Sequence, residues 1–207
     1  MGRSIGPRNK IARRFGVNLG LKTNPAKVAK RLSQPPGVHG PKKRKSSGST
    51  YGKQLIEKQK AKIVYGMRER QFHRYVDMAT EQSGDSGVAL QQMLEMRLDN
   101  AVYRLGFADT RAQARQMTSH GMFFLNNKPM NIPSHIVSIG DVVSVKPSKQ
   151  KKKLFETMSE KLSKKEAPSW VSVDAPKMTG KILGKPSMED VEKVFDVKLI
   201  IEYYSTR

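Results

Sequence analysis

The chain has 207 residues, no cysteine, a formal charge of +21 and a pI of about 10.2. The missing cysteines exclude disulfides and thiolate-bound metal, and no apolar run approaches the roughly twenty residues of a spanning helix. That leaves one large domain or two small ones, with a modest core under a strong positive charge.

The charge is one-sided. Residues 1–56 hold fourteen Lys or Arg and no acid, and residues 1–75 hold twenty basic against two acidic groups. The remaining 132 residues hold nineteen and sixteen. Such a block repels itself unless something anionic covers it. Nucleic acid fits better than a membrane surface, because Gly2 lacks the Ser or Thr context of a lipid signal and no basic amphipathic helix is evident. The first thirty residues lack the apolar centre of a secretory signal, and Gly6-Pro7 and Gly16 interrupt any long organellar leader helix, so a soluble, reducing compartment is expected.

Residues 1–50 form a basic arm rich in Pro and Gly. At most one short helix fits, over Arg8 to Phe15 or Pro25 to Leu32, with Asn24 as cap and Pro25 at the first helical position. The arm is expected to take its shape from the surface it lies on. Its candidates for phosphate contact are Arg3, Arg8, Lys10, Arg13, Arg14, Lys22, Lys30, His39 and the run Lys42, Lys43, Arg44 and Lys45. That run also resembles a nuclear address, but basic groups continue on both sides, which favours a phosphate-contacting loop.

From Tyr51 a helix is predicted with Gly66 as its break or cap. Another covers about Glu69 to Thr80, with Phe72, Tyr75, Val76 and Ala79 on one side as core. Lys53, Lys58, Lys62, Arg68 and Arg70 are the candidate RNA contacts of these helices. Ser83-Gly-Asp-Ser-Gly is a turn.

A helical stripe then runs through Leu90, Met93, Leu94, Leu98, Ala101, Val102 and Leu105, and Gly106 follows as a left-handed cap. The next helix opens on Thr110 with Gln113 three residues on, a capping box. It aligns Arg111, Arg115 and Ser119 on one face. With Arg97, Arg104, His120 and Lys128 these are the candidate contacts of this stretch, since arginine suits bidentate phosphate binding. His120 fits equally well as a plain helix-end residue. Reversing Arg111 and Arg115 to Glu is expected to weaken RNA binding and leave the fold intact. Short strands follow at Met122 to Leu125 and Val142 to Val145, with a turn at Asn126-Asn127-Lys128-Pro129 and a hairpin signal at Gly140-Asp141.

Beyond Pro147 lie an amphipathic helix with Leu154, Phe155, Met158 and Leu162, and a strand around Trp170, the anchor of its core. A short helix capped by Ser187 and Asp190 is expected next, then an end strand over Lys198 to Tyr204. The fold class is α+β: the arm over 1–50, a mostly helical domain from 51–95 plus 148–207, and an inserted domain of two helices on a short antiparallel sheet over 96–147.

Arg97-Leu-Asp-Asn, Tyr103-Arg-Leu-Gly-Phe, Thr110-Arg-Ala-Gln-Ala-Arg-Gln, Ser119-His120-Gly, Asn126-Asn-Lys, Asn131-Ile-Pro-Ser and Gly140-Asp-Val-Val resemble a small RNA-binding fold. It is known from small-subunit ribosomal protein four and recurs in some pseudouridine synthases, tyrosyl-tRNA synthetases and a heat-shock rescue factor. Ile5-Gly-Pro, Pro35-Pro-Gly-Val-His-Gly, Tyr51-Gly-Lys-Gln-Leu-Ile-Glu-Lys-Gln-Lys, Ile63-Val-Tyr-Gly-Met-Arg-Glu-Arg-Gln-Phe, Pro168-Ser-Trp and Tyr203-Tyr-Ser-Thr-Arg narrow the resemblance to the ribosomal protein four family, bacterial type. Some members hold zinc with four cysteines in the arm. The corresponding positions here are about Asn9, Ala12, Ala26 and Arg31, so the resemblance implies no metal and no cofactor.

The resemblance implies a non-enzymatic, cytoplasmic component of the ribosome, a primary binder of small-subunit rRNA that helps nucleate its 5′ domain. It implies neighbours among small-subunit proteins, protein five included, and a place near the channel through which mRNA enters. A role in translational accuracy and repression of its own operon stay open. No membrane and no small-molecule substrate are implied. An RNA-modifying enzyme built on the same module would need a catalytic domain, and the near-neutral C-terminal sixty residues are too few to supply one.

Overall fold

The computed structural model describes residues 6–30, 32–38, 48–152, 154–156, 158–164, 166–191 and 194–205. Their contacts divide the chain into two compact units, one of residues 1–90 with 192–207 and the other of residues 91–191.

In the first unit both short helices of the arm form, where the sequence suggested one: α1 (Arg8–Phe15) and α2 (Pro25–Ala29). Asn24 Oδ1 accepts from the Lys27 amide at 3.1 Å. Gly16, at φ 67, ends α1 in the left-handed conformation that glycine adopts without strain. Ala12, Leu19 and Val28 are buried, and Arg13 donates to the carbonyls of Gln34 (2.8 Å) and Pro35 (3.1 Å). The arm therefore carries local packing of its own, more than its sparse apolar content suggests.

Helix α3 (Thr50–Val64) starts on Ser49, whose Oγ accepts from the Gly52 amide, and ends before Gly66 at φ 60. Helix α4 (Glu69–Thr80) buries Phe72, Tyr75, Val76 and Ala79, one face at helical spacing. The predicted end strand is instead a helix, α10 (Val197–Ser205). Its Lys-Leu-Ile-Ile-Glu-Tyr-Tyr run favours a strand by residue type. Yet Val197, Ile200 and Tyr203 recur at three-residue spacing, and that face packs on α3. Burial along a helical stripe outweighs residue preference.

The second unit begins within α5 (Ser86–Glu95). The expected continuous stripe breaks at Arg97, which is extended at φ −70, ψ 141, before α6 (Leu98–Arg104). The break lets the backbone bond elsewhere. Met96 O accepts from Val137 N (2.8 Å), while Leu98 N donates to His135 O (2.7 Å). Helix α7 (Arg111–Ser119) opens on Thr110, whose Oγ1 accepts from Gln113 N at 3.2 Å. Gln113 Oε1 returns the bond to the amide of Asp109, one residue earlier than a strict capping box.

Strands β1 (Phe123–Leu125), β2 (Lys128–Met130), β3 (Val142–Val145), β4 (Val171–Asp174) and β5 (Thr179–Ile182) make one antiparallel sheet in the order β2-β1-β3-β5-β4. Asn126 and Asn127, at φ 50 and 63, make the β1–β2 turn in the left-handed conformation Asn tolerates. Gly140-Asp141 does not join a hairpin. Val142 to Val145 instead lies mid-sheet, paired with β1 and β5.

This sheet corrects the expected boundary. Residues 148–191 belong with the module of residues 96–147, and only residues from 192 on return to the helical unit. Strands β4 and β5 extend the sheet, and their residues share its core. Phe155, Met158, Leu162, Trp170, Val171 and Ile182 join Leu98, Val102, Leu105, Phe107, Phe123 and Val143 in one cluster. A short helix, α8 (Pro147–Gln150), follows β3; Phe155 comes after it, Met158 and Leu162 lie on α9 (Met158–Lys164), and Leu154 is exposed. Residues 188–190 form a turn, not a helix, with Asp190 accepting from Ser187 Oγ (2.7 Å) and Ser169 Oγ (2.9 Å).

Gly180 sets the helix-to-sheet spacing. A Cβ placed there would lie 2.3 Å from Leu105 Cδ2 and 2.8 Å from Cδ1. Gly180→Ala should destabilise this unit by about 1–3 kcal/mol through overpacking, measured by urea denaturation. Combined with Leu105→Ala it should cost less than the sum of the two single losses, since the smaller side chain vacates the contested space.

Candidate nucleic-acid interface

Six of the predicted RNA contacts, Arg3, His39, Lys42, Lys43, Arg44 and Lys45, lie outside the described residues. Of the remainder, those exposed in the first unit are Arg8, Lys10, Arg14, Lys22, Lys30, Lys53, Arg68 and Arg70. Arg8 donates to Leu21 O at 2.8 Å, and Arg13 is half-buried, turned to the carbonyls of Gln34 and Pro35. Exposed Lys27 and Arg74 were not singled out and belong to the same basic surface class.

Lys58 and Lys62 need a correction. Lys58 is buried and donates to Glu69 Oε1 at 2.7 Å, with Nζ 4.4 Å from the Tyr203 ring centroid. Lys62 donates to Glu69 Oε2 at 2.9 Å. The Tyr204 hydroxyl donates to the same carboxylate at 2.8 Å. Partial burial alone would raise the Glu69 pKa, but the three donors outweigh it and hold the carboxyl at about 2. Tyr204 is pushed up by burial and by its anionic acceptor, so its hydroxyl stays a donor.

A carboxylate depressed in the fold contributes stability above its unfolded pKa and loses it as pH falls toward the folded value. The helical unit should therefore weaken between about pH 4.5 and 2. Glu69 is 46% exposed, so solvent screens part of the effect. A Glu69→Gln variant should show a shallower acid dependence in that window, read from thermal melts at stepped pH.

In the second unit the module's arginines turn inward. Arg97 is fully buried and donates from Nε and Nη2 to the two oxygens of Asp99 at 3.1 and 2.9 Å. Arg115 Nη1 donates to the same carboxylate at 3.1 Å. Arg104 grips Glu95, itself fully buried, through Nε (2.7 Å) and Nη2 (3.1 Å). Asn100 Nδ2 donates to Glu95 at 2.7 Å and its Oδ1 accepts from Arg111 Nε at 2.8 Å. Arg111 Nη2 lies 3.7 Å from Glu95, and its guanidinium 4.6 Å from the Tyr103 ring centroid.

The bidentate geometry expected toward phosphate is thus satisfied by the chain's own carboxylates. Arg97 cannot reach RNA. The side chains of Arg104, Arg111 and Arg115 keep 10%, 10% and 19% exposure, a narrow outer edge. Reversing Arg111 and Arg115 would set carboxylates against Glu95 and Asp99, so the expectation of an intact fold is withdrawn. Sequence reasoning missed Glu95, Asp99 and Asn100. Acids four residues apart, matched to arginines four residues apart at 111 and 115, were the available signal.

Ser119 and His120 are exposed at the end of α7. The Ser119 hydroxyl donates to carbonyls of its own helix, Arg115 (2.9 Å) and Gln116 (3.0 Å). His120 is the C-cap residue. Lys128 is exposed on β2, and Lys151, Lys152 and Lys181 add exposed charge beyond the candidate contacts. Among the described residues no group of three or more His, Asp or Glu is placed to hold a metal ion.

Residues 3–95 match the ribosomal protein S4/S9 N-terminal domain and residues 96–143 the S4 domain. The small ribosomal subunit protein uS4 of Herpetosiphon aurantiacus is 46% identical over 210 residues, covering 99% of this chain and all of the relative. The proteins of the same name from Chloroflexus aurantiacus and Caldicellulosiruptor saccharolyticus are 42% and 44% identical over 207 and 210 residues, with the same coverage. With a basic first unit and a helix-on-sheet module, and matched end to end by these relatives, the chain belongs to the uS4 family of small ribosomal subunit proteins.

Proposed function

We propose that the protein is a structural, non-enzymatic component of the cytoplasmic small ribosomal subunit and binds its rRNA directly. It docks where helices of the 5′ domain meet and helps nucleate that domain's assembly. From there it lies beside the path of incoming mRNA, next to other small-subunit proteins such as protein five, and bears on translational accuracy and on its own operon's translation.

The observation that supports this reading best is the distribution of unneutralised charge. The first unit exposes Arg8, Lys10, Arg14, Lys22, Lys30, Lys53 and Arg70, while the module's arginines are balanced by buried carboxylates. Backbone charge is read by exposed cations and released counterions, and folded RNA junctions are read mainly by shape. On this reading the first unit supplies most of the affinity, and the rigid module supplies surface complementarity. Titrating the full chain against a 5′-domain rRNA transcript over a salt series tests it. Affinity should fall steeply and linearly in log–log form; equal binding to an unrelated structured RNA would argue against the specific role.

A further inference from the structure

One side of the helical unit carries an open cleft of about 580 Å³, lined by Lys58, Glu69, Arg70, His73, Tyr203 and Tyr204. That volume suits one nucleotide and not a duplex, given that small-ligand clefts span about 300–1,000 Å³. Its floor is aromatic. The Tyr203 and Tyr204 rings meet edge-on at 5.2 Å, and His73 lies 4.9 Å from Tyr204 at a tilt of 41°. The lining is held rigidly, because Tyr204 is bonded to Glu69 and Lys58 is buried under both tyrosines.

The electrostatics favour an anion at the rim. Glu69 would repel one, but Lys58 and Lys62 both pair with it. Asp77 lies 3.5 Å from His73 Nδ1. Arg70 is exposed at the mouth, and Arg74 is exposed on the same helix. An aromatic floor with a cationic rim matches the two parts of a nucleotide, a π-face and a phosphate.

We propose that this cleft receives one unpaired nucleotide of the bound RNA, its base stacked on His73 and Tyr204 and its phosphate on Arg70. The inference rests on the RNA-binding reading above and gives it a specific pocket. The helical unit then has an anchor that shape-reading and diffuse charge alone do not provide.

The test uses the full chain and a transcript of the small-subunit rRNA 5′ domain. His73→Ala should weaken binding by about tenfold, in line with the loss of one base–aromatic stack, and leave the salt slope unchanged. Arg70→Gln should weaken binding and lower the slope by about one phosphate contact. His73→Phe should restore affinity, since a ring suffices for stacking. Both residues are exposed, so thermal melts should be unaltered. Full wild-type affinity in His73→Ala and Arg70→Gln overturns the nucleotide site while leaving the RNA-binding reading standing. A wild-type chain that does not bind the transcript overturns both.

Discussion

Asp99→Ala should lower the stability of the 91–191 unit by about 3–5 kcal/mol, because it breaks a buried charge pair. Asp99 takes two bonds from the fully buried Arg97 and a third from Arg115. Without it the fully buried Arg97 guanidinium loses two charge-assisted hydrogen bonds and the carboxylate that balances it. Asp99→Asn should cost less, since an amide oxygen still accepts one bond. A double change that also replaces Arg97 with Met should recover much of the loss, because a buried ion pair adds little over well-packed apolar groups. The readout is urea unfolding followed by far-UV circular dichroism. A loss below about 1 kcal/mol for Asp99→Ala would mean that the network is surface-like and weak.

The second large effect concerns RNA. Changing Arg8, Lys10, Arg14, Lys22 and Lys30 together to Gln should reduce affinity for the 5′-domain transcript on the order of a hundredfold or more near 0.15 M salt. The log–log salt slope should fall by roughly 4, just under one unit per charge removed. All five side chains are exposed and none lies in the packed interior, so the melting profile should stay close to wild type. The corresponding change of Lys128, Lys151, Lys152 and Lys181 should have a smaller effect on the slope. If the two sets act equally, the first unit is not the principal electrostatic surface.

These two expectations divide the basic residues by what surrounds them, and that division was only partly legible beforehand. Local rules worked where the determinants are local. The Thr110 cap, the Gly66 stop, the bounds of α4 and the Asn126-Asn127 turn depend on residues within a turn or two. The arginines did not yield to such rules, because their partners come from other helices. Arg111 and Arg115 lie on one face of α7, as their spacing demands, but α5 and α6 present Glu95 and Asp99 to that face. Alignment of charge was legible, and its direction was not.

The domain boundary failed for a similar reason. Nothing local says that Thr179 to Ile182 pairs with Val142 to Ser144 some forty residues away. The glycine at 180 under Leu105 is the trace of that pairing, intelligible only once the helix is in place. At the chain's end, β-branched and aromatic residues pointed to a strand, while their three-residue recurrence pointed to a helix. The waiting face of α3 decided it.

The measurement that reaches the central claim most directly is a hydroxyl-radical footprint of the full chain on intact small-subunit rRNA. Protection should be confined to a compact set of helices in the 5′ domain, disappear as salt rises, and shrink in the five-residue Gln variant. Protection scattered without preference along the RNA, or unchanged by salt and by the variant, would contradict the account.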